Sequence, residues 1–85
     1  MDEIKHKVTE EIFGEHNSLK SDKEAQRVKE IAALVDSRMK TISKANSRLS
    51  PVKVAVLVAL NIAEEYLRLE EDYKHLVKMV KEQER

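Results

Sequence analysis

The chain is 85 residues long, 41% apolar and only 4% aromatic, which allows one domain at most; folded alone, it would bury only about 60–65% of the surface its unfolded chain exposes. A private core is therefore marginal, and self-association is the expected remedy. Sixteen Lys and Arg balance sixteen Asp and Glu, and Cys is absent, which excludes a disulfide framework and a thiolate metal site and leaves any charge-driven partner to a local surface.

The opening residues, MDEIKHKV, lack the apolar stretch of a secretory signal, so a soluble cytoplasmic protein is expected. The first element is a β-hairpin over 5–20: VTEEIF and EHNSLK flank the single glycine, Gly14, which suits a tight turn between two strands. Glu10 shares a strand face with Val8 and Ile12, and Leu19 is the apolar anchor of the second strand. A helix over 22–46 follows. Ser21 is placed to cap it and Glu24 to complete a capping box, while Val28, Ile31, Val35, Met39 and Ile42 form a stripe at helical spacing that reads as core packing.

Ser50 and Pro51 give the start signal of a second helix, and no breaker follows Pro51. A helix of about 34 residues would be ~50 Å long, more than a domain of this size can cover. Its first zone contains seven unbroken apolar residues, Val54 to Leu60, far short of the ~20 that span a bilayer; no membrane partner is expected. With Val52 at heptad position a, the residues Ala55, Ala59, Ile62, Tyr66, Leu69, Tyr73, Leu76 and Val80 alternate between d and a. Up to Leu67 the flanks are apolar too, and Val54, Leu57, Val58, Leu60 and Asn61 are expected to be enclosed by the head or a dimer. Asn61 falls at c, off the seam, and is expected to hydrogen-bond nearby backbone. The seam residues are Ile62, Tyr66, Leu69, Tyr73, Leu76 and Val80, and beyond Leu67 the seam narrows between charged flanks, the pattern of a coiled coil. In a parallel, in-register pair Glu65 at g would face Glu70 at e of the other chain, a like-charge contact that disfavours a simple parallel zipper, while Val77 and Met79 widen the apolar face toward a bundle of three or four helices.

These elements predict an α+β, mostly α fold, an obligate oligomer with a β-hairpin, one medium helix and one long helix. The head spans 1–67 (hairpin 5–20, helix 22–46, long helix 51–67), and the coiled-coil extension spans 68–85. No catalytic constellation is present. His6, His16 and His75 are not spaced to put two on one helix face, the serines sit at caps and turns, and one glycine cannot form a phosphate-cradling loop. Glu64 and Glu65 point about 100° apart. Tyr66 and Tyr73 occupy two successive a positions, as seam residues do. The reading is a non-enzyme without cofactor or metal. Residues 37–63 carry five bases, Arg38, Lys40, Lys44, Arg48 and Lys53, and no acid, so an acidic partner is expected there. Without interleaved aromatics, five charges argue against nucleic acid.

Three segments together, IFG (Ile12–Gly14), IAALVDSRMKTI (Ile31–Ile42) and KVAVLVALNIAEEYLRLEEDY (Lys53–Tyr73), resemble the ZapA family of bacterial division-ring proteins. The pattern departs from that family at Glu10, Asn17 and Ser21, and Glu15 and His16 follow the turn. The resemblance implies a head of two strands and two helices that dimerises, with coils able to join two dimers into an antiparallel tetramer. It also implies a cytoplasmic, midcell protein without catalytic activity whose partner is FtsZ, the tubulin-like GTPase of the division ring, and which cross-links FtsZ filaments. FtsZ is generally acidic, so the candidate contacts are Arg38, within the matching helix, and Lys40, Lys44 and Arg48, chosen on charge. The alternative is a generic coiled-coil adaptor.

Overall fold

The structure, a computed structural model, describes residues 6–21 and 24–84. The hairpin consists of β1 (His6–Ile12) and β2 (Glu15–Ser21), antiparallel, with Val8 opposite Leu19, Glu10 opposite Asn17 and Ile12 opposite Glu15. Phe13 and Gly14 alone make the connection, with φ of +51° and +82°, the positive pair that a two-residue turn needs to match the twist of its strands. Alternation then sorts the faces. Val8 is buried and Ile12, Asn17 and Leu19 half-buried, whereas Lys7, Thr9, Glu11, His16, Ser18 and Lys20 are exposed. Glu10 lies on the inner face, half-buried, as its spacing from Val8 requires.

Helix α1 (Ala25–Ala45) begins later than expected. Its N-cap is Glu24, which makes no side-chain capping bond. Ser21 still belongs to β2, and a residue paired in a strand cannot cap a helix, so the Ser21–Glu24 capping box is replaced by a plain backbone start, with the Val28 N–H donating to the Glu24 carbonyl at 3.2 Å. Residue 22, the expected first helical position, lies outside the described residues. The buried stripe also differs by one position: Val28, Ala32 and Met39 are buried, while Ile31 is 49% exposed. The small Ala32 takes the closest approach, and Ile31 is left on the shoulder. The helix closes at Asn46, whose Oδ1 accepts the Arg48 N–H at 3.1 Å in the turn to the next helix.

Helix α2 (Pro51–Gln83) starts as its sequence dictates. Pro51 occupies the first turn, and the Ser50 hydroxyl accepts the Lys53 N–H at 3.1 Å, satisfying one of the orphan donors of a helix start. At 33 residues it accounts for most of the molecule's 54 Å length; the shortest dimension is 15 Å. Met39 of α1 packs with Val54 and Val58 of α2, and Ile12, Phe13, Val35, Ile42, Leu49 and Ile62 close around them. Val54 is fully covered. Replacing it by Ala should therefore cost about 2 kcal/mol, from lost burial and the cavity left behind. The exposed Glu71→Ala should stay within about 0.5 kcal/mol of the parent; urea unfolding followed by circular dichroism at fixed protein concentration checks both.

Candidate self-association and partner surfaces

The three sequence signatures meet in space. The Phe13 N–H of the hairpin turn donates to Asp36 Oδ1 on α1 at 2.8 Å, and Lys40, one helical turn on, holds the other oxygen at 2.9 Å. These contacts, the Phe13 hydrogen bond first and Lys40 second, hold the Asp36 carboxyl below its ordinary value. An aromatic residue at positive φ is unfavourable. Phe13 keeps that conformation because its amide is bound by Asp36 and its ring packs on the Met39–Val54–Val58 cluster.

Two residues beyond Asp36, and so about 200° round the helix, Arg38 reaches α2. Its Nη1 and Nη2 donate to Glu65 Oε2 and Oε1 at 2.8 and 3.0 Å, and Nη1 also donates to Asn61 Oδ1. Asn61 and Glu65 stand one helical turn apart, so a single planar guanidinium clasps both. The hydrogen bonds of the fork, and after them the attraction of the paired charges, raise the Arg38 pKa and lower that of Glu65. Asn61 was expected to bond nearby backbone; its side-chain partner is a guanidinium 23 positions earlier.

The basic candidates divide accordingly. The Arg38 fork is occupied inside the chain, and Lys40 is paired with Asp36. Lys44 and Arg48 are exposed at the end of α1 and in the turn, without an ion pair among the described residues. Helical spacing aligns Lys40 with Lys44 and turns Arg38 away from both, so the four do not form one patch.

The larger feature is apolar. Within the head, α2 presents Val54, Val58 and Ile62 to α1 and the hairpin. Ile62, expected on the coiled-coil seam, is thus part of the intrachain core, and Leu57 is half-buried. The other side of the same helix is open: Val52 is 75% and Leu60 62% exposed, and Val56, Tyr66 and Leu67 are exposed with them. Past the head, Leu69, Tyr73, Leu76, Met79 and Val80 are exposed as well; Leu69 and Leu76 follow Ile62 at seven-residue spacing, so this distal stripe extends the row that faces α1 within the head. The chain exposes 7422 Å², against about 5,200 Å² for a compact monomer of this mass. Exposed apolar surface this extensive marks an association site.

Val56 and Leu67, like the intrachain partners of Arg38, escaped the sequence reading. The unbroken apolar run was the signal for Val56; for Arg38 it was a lone cation between the core residues Val35 and Met39. Among the described residues no group of three or more His, Cys, Asp or Glu side chains could hold a metal ion, and no helix is long and apolar enough to cross a membrane.

Residues 8–85 match the sequence profile of the family described as cell division protein ZapA. Curated relatives of that description include proteins of Bacillus velezensis, 34% identical over 80 residues (94% of each chain), and of Geobacillus thermodenitrificans, 39% identical over 75 residues (88% of this chain and 82% of that one). A third, from Shouchella clausii, is 40% identical over 70 residues (82% and 90%). The fold is similar to the solved structure described as a ZapA mutant dimer from Geobacillus stearothermophilus, with a TM-score of 0.75 and 32% identity, covering 94% of this chain and 93% of that one.

The two clasped carboxylates make the head acid-sensitive. A group whose pKa is lower in the folded than in the unfolded chain stabilises the fold above its unfolded value and loses that contribution as pH falls through its folded value. Asp36 and Glu65 both belong to this class, so their contribution should be complete above the ordinary values of 3.8 and 4.5 and decline below them. Asp36→Asn should lower stability at pH 7 and flatten the acid limb of a stability–pH curve measured by urea unfolding; an unchanged acid limb would show that the turn contact carries no such linkage.

Proposed function

The chain belongs to the ZapA family of cell division proteins, and from that premise we propose that it self-associates through the open face of α2 and cross-links FtsZ filaments at the division site. The observation that carries this reading is the apolar surface of α2 that stays uncovered among the described residues, at Val52, Val56, Leu60 and Leu67 in the head and at Leu69, Tyr73, Leu76 and Val80 beyond it. A second copy is the occupant it fits, because a similar fold is solved as a dimer and, among the described residues, the hairpin and α1 are already packed on the Val54–Val58 side of the helix. Val52, Val56, Leu60 and Leu67 pair the heads; Tyr66, Leu69, Tyr73, Leu76 and Val80 form the narrower seam that extends from them.

The solved dimer of similar fold supports pairing as the first step of assembly. Cross-linking follows from geometry: a particle with one FtsZ contact cannot bridge filaments, whereas a symmetric particle repeats its contact on every head. The contact surface in this reading is Lys44 and Arg48 with Lys40 beside them, exposed cations that suit an acidic filament. Arg38 is left out of that surface because its donors are committed to Glu65 and Asn61. The protein performs no chemistry of its own in this scheme; it acts in the cytoplasm at midcell by holding filaments side by side.

Light scattering over a range of concentrations should give at least twice the 9.8 kDa chain mass; single-chain mass at every concentration would refute pairing. In co-sedimentation with polymerising FtsZ, the full chain should pellet with the filaments and bundle them. A chain lacking residues 70–85 should bind but bundle poorly; complete loss of binding would favour an adaptor acting through its coil. Reversing the charges of Lys44 and Arg48, which have no ion pair among the described residues, should weaken co-sedimentation about tenfold without changing the solution mass; unchanged binding would relocate the contact.

A further inference from the structure

Glu65 stands at the junction of head and coil, at heptad position g, and Glu70 follows at e. When two α2 helices lie parallel and in register, the g residue of one chain comes opposite the e residue of the other. Glu65 then meets Glu70 twice in each pair, at the edge of an apolar seam. By sequence alone this is a repulsive contact. The structure removes one of its two charges, because Glu65 is clasped by both arms of Arg38 from the same chain, at 2.8 and 3.0 Å, and the two side chains are 29% (Arg38) and 35% (Glu65) exposed. Glu70 stays on the open flank, accepting the Tyr66 hydroxyl at 3.3 Å with Lys74 at 3.9 Å.

An antiparallel pair has no equivalent relief. In that arrangement a residues layer against d residues, with Tyr73 on Leu69 and Tyr66 on Leu76, and e and g flanks face their own kind. Glu70 then faces Glu70 and Asp72 faces Asp72 across the middle of the seam, and the guanidinium of Arg38, tied to Glu65, serves neither contact. Head geometry thus discriminates between pairings of the coil.

We propose that Arg38 is a positioning residue for self-association: by neutralising Glu65 within each chain and turning it toward α1, it selects parallel, in-register pairing of two α2 helices. The inference rests on the self-association reading above and adds the residue that sets its orientation. Arg38 touches no second chain in this role. It acts through the charge it withdraws from the seam.

The test compares full-length variants by analytical ultracentrifugation at low and moderate salt, with helicity checked by circular dichroism. Arg38→Gln releases the Glu65 carboxylate and should weaken dimerisation about fivefold at low salt, the size of two exposed like-charge contacts, with the loss shrinking as salt screens them. Adding Glu65→Gln, or Glu70→Gln across the interface, should bring affinity back to within about twofold of the parent. The decisive readout is a gain from Glu70→Gln that is larger in the Arg38→Gln background than in the parent: a tie that merely braces α1 on α2 gains nothing from a change on the far flank, and an antiparallel pair, in which Glu70 faces Glu70, gains equally in both backgrounds. Loss that is indifferent to salt and is rescued by neither change would overturn the proposal. Should Arg38→Gln lose helicity, Arg38→Met, which keeps the packing of the stem but not the charge, carries the same comparison. A parent chain that is monomeric at every concentration would refute the self-association reading instead, and the two failures are distinguishable.

Discussion

Two side chains of α1, Asp36 and Arg38, hold the other elements in place from opposite sides of one helix. Asp36 binds the amide at the hairpin turn, and Arg38 binds Asn61 and Glu65 on α2. Directional ties matter here because the core is thin. The buried side chains among the described residues are Val8, Val28, Ala32, Met39, Val54 and Val58, none aromatic, and small aliphatic contacts alone define helix register poorly. A carboxylate at a strained turn and a two-armed guanidinium supply the geometry that the core lacks. Both lie at its margin, where the groups are only partly desolvated and the cost of burying charge is avoided.

The same economy of core explains why α2 is apolar on two sides. One side must seat against α1 and the hairpin, with Val54, Val58 and Ile62 as its knobs. The opposite side is left uncovered among the described residues, because the hairpin and α1 both pack on the first. An excess of exposed surface of about 2,200 Å² over a compact monomer exceeds the ~1,600 Å² buried in a standard protein interface. The long helix is thus a structural element shared in advance between folding of one chain and association of several.

Much of this could be read from the amino acids, and the misses have a common cause. The turn at Gly14, the strand alternation and the Ser50-Pro51 helix start are local, decided by a few neighbouring residues, and each was visible in sequence; that Phe13, read as the end of the first strand, joins the turn depends on Asp36 of α1. Ser21 misled because a capping box is also local, but β2 claimed that residue first. Ile62 fitted the heptad and Ile31 the α1 stripe, yet periodicity identifies only that a face is apolar. Which of two apolar faces of α2 is seated on its own head depends on α1, some 20 residues away. The partners of Arg38 are hidden for the same reason: Glu65 follows it by 27 residues, and charge counting assigned that arginine to an outside partner.

The position of Glu65 ties these strands together. It sits in the last turn that the head can reach, so its state is set by α1, while its neighbours Tyr66 and Leu69 already belong to the seam. Any change that loosens α1 from α2 returns a carboxylate to the border of that seam, and any assembly that holds two α2 helices side by side restrains the turn to which Arg38 must bind. By linkage the two equilibria reinforce one another: a second chain that prefers the clasped state stabilises the head by its differential affinity for that state. In the pairing proposed here, head folding and coil pairing are coupled through the Arg38–Glu65 ion pair at their junction, so that a chain with a misfolded head is also a poor partner for the coil.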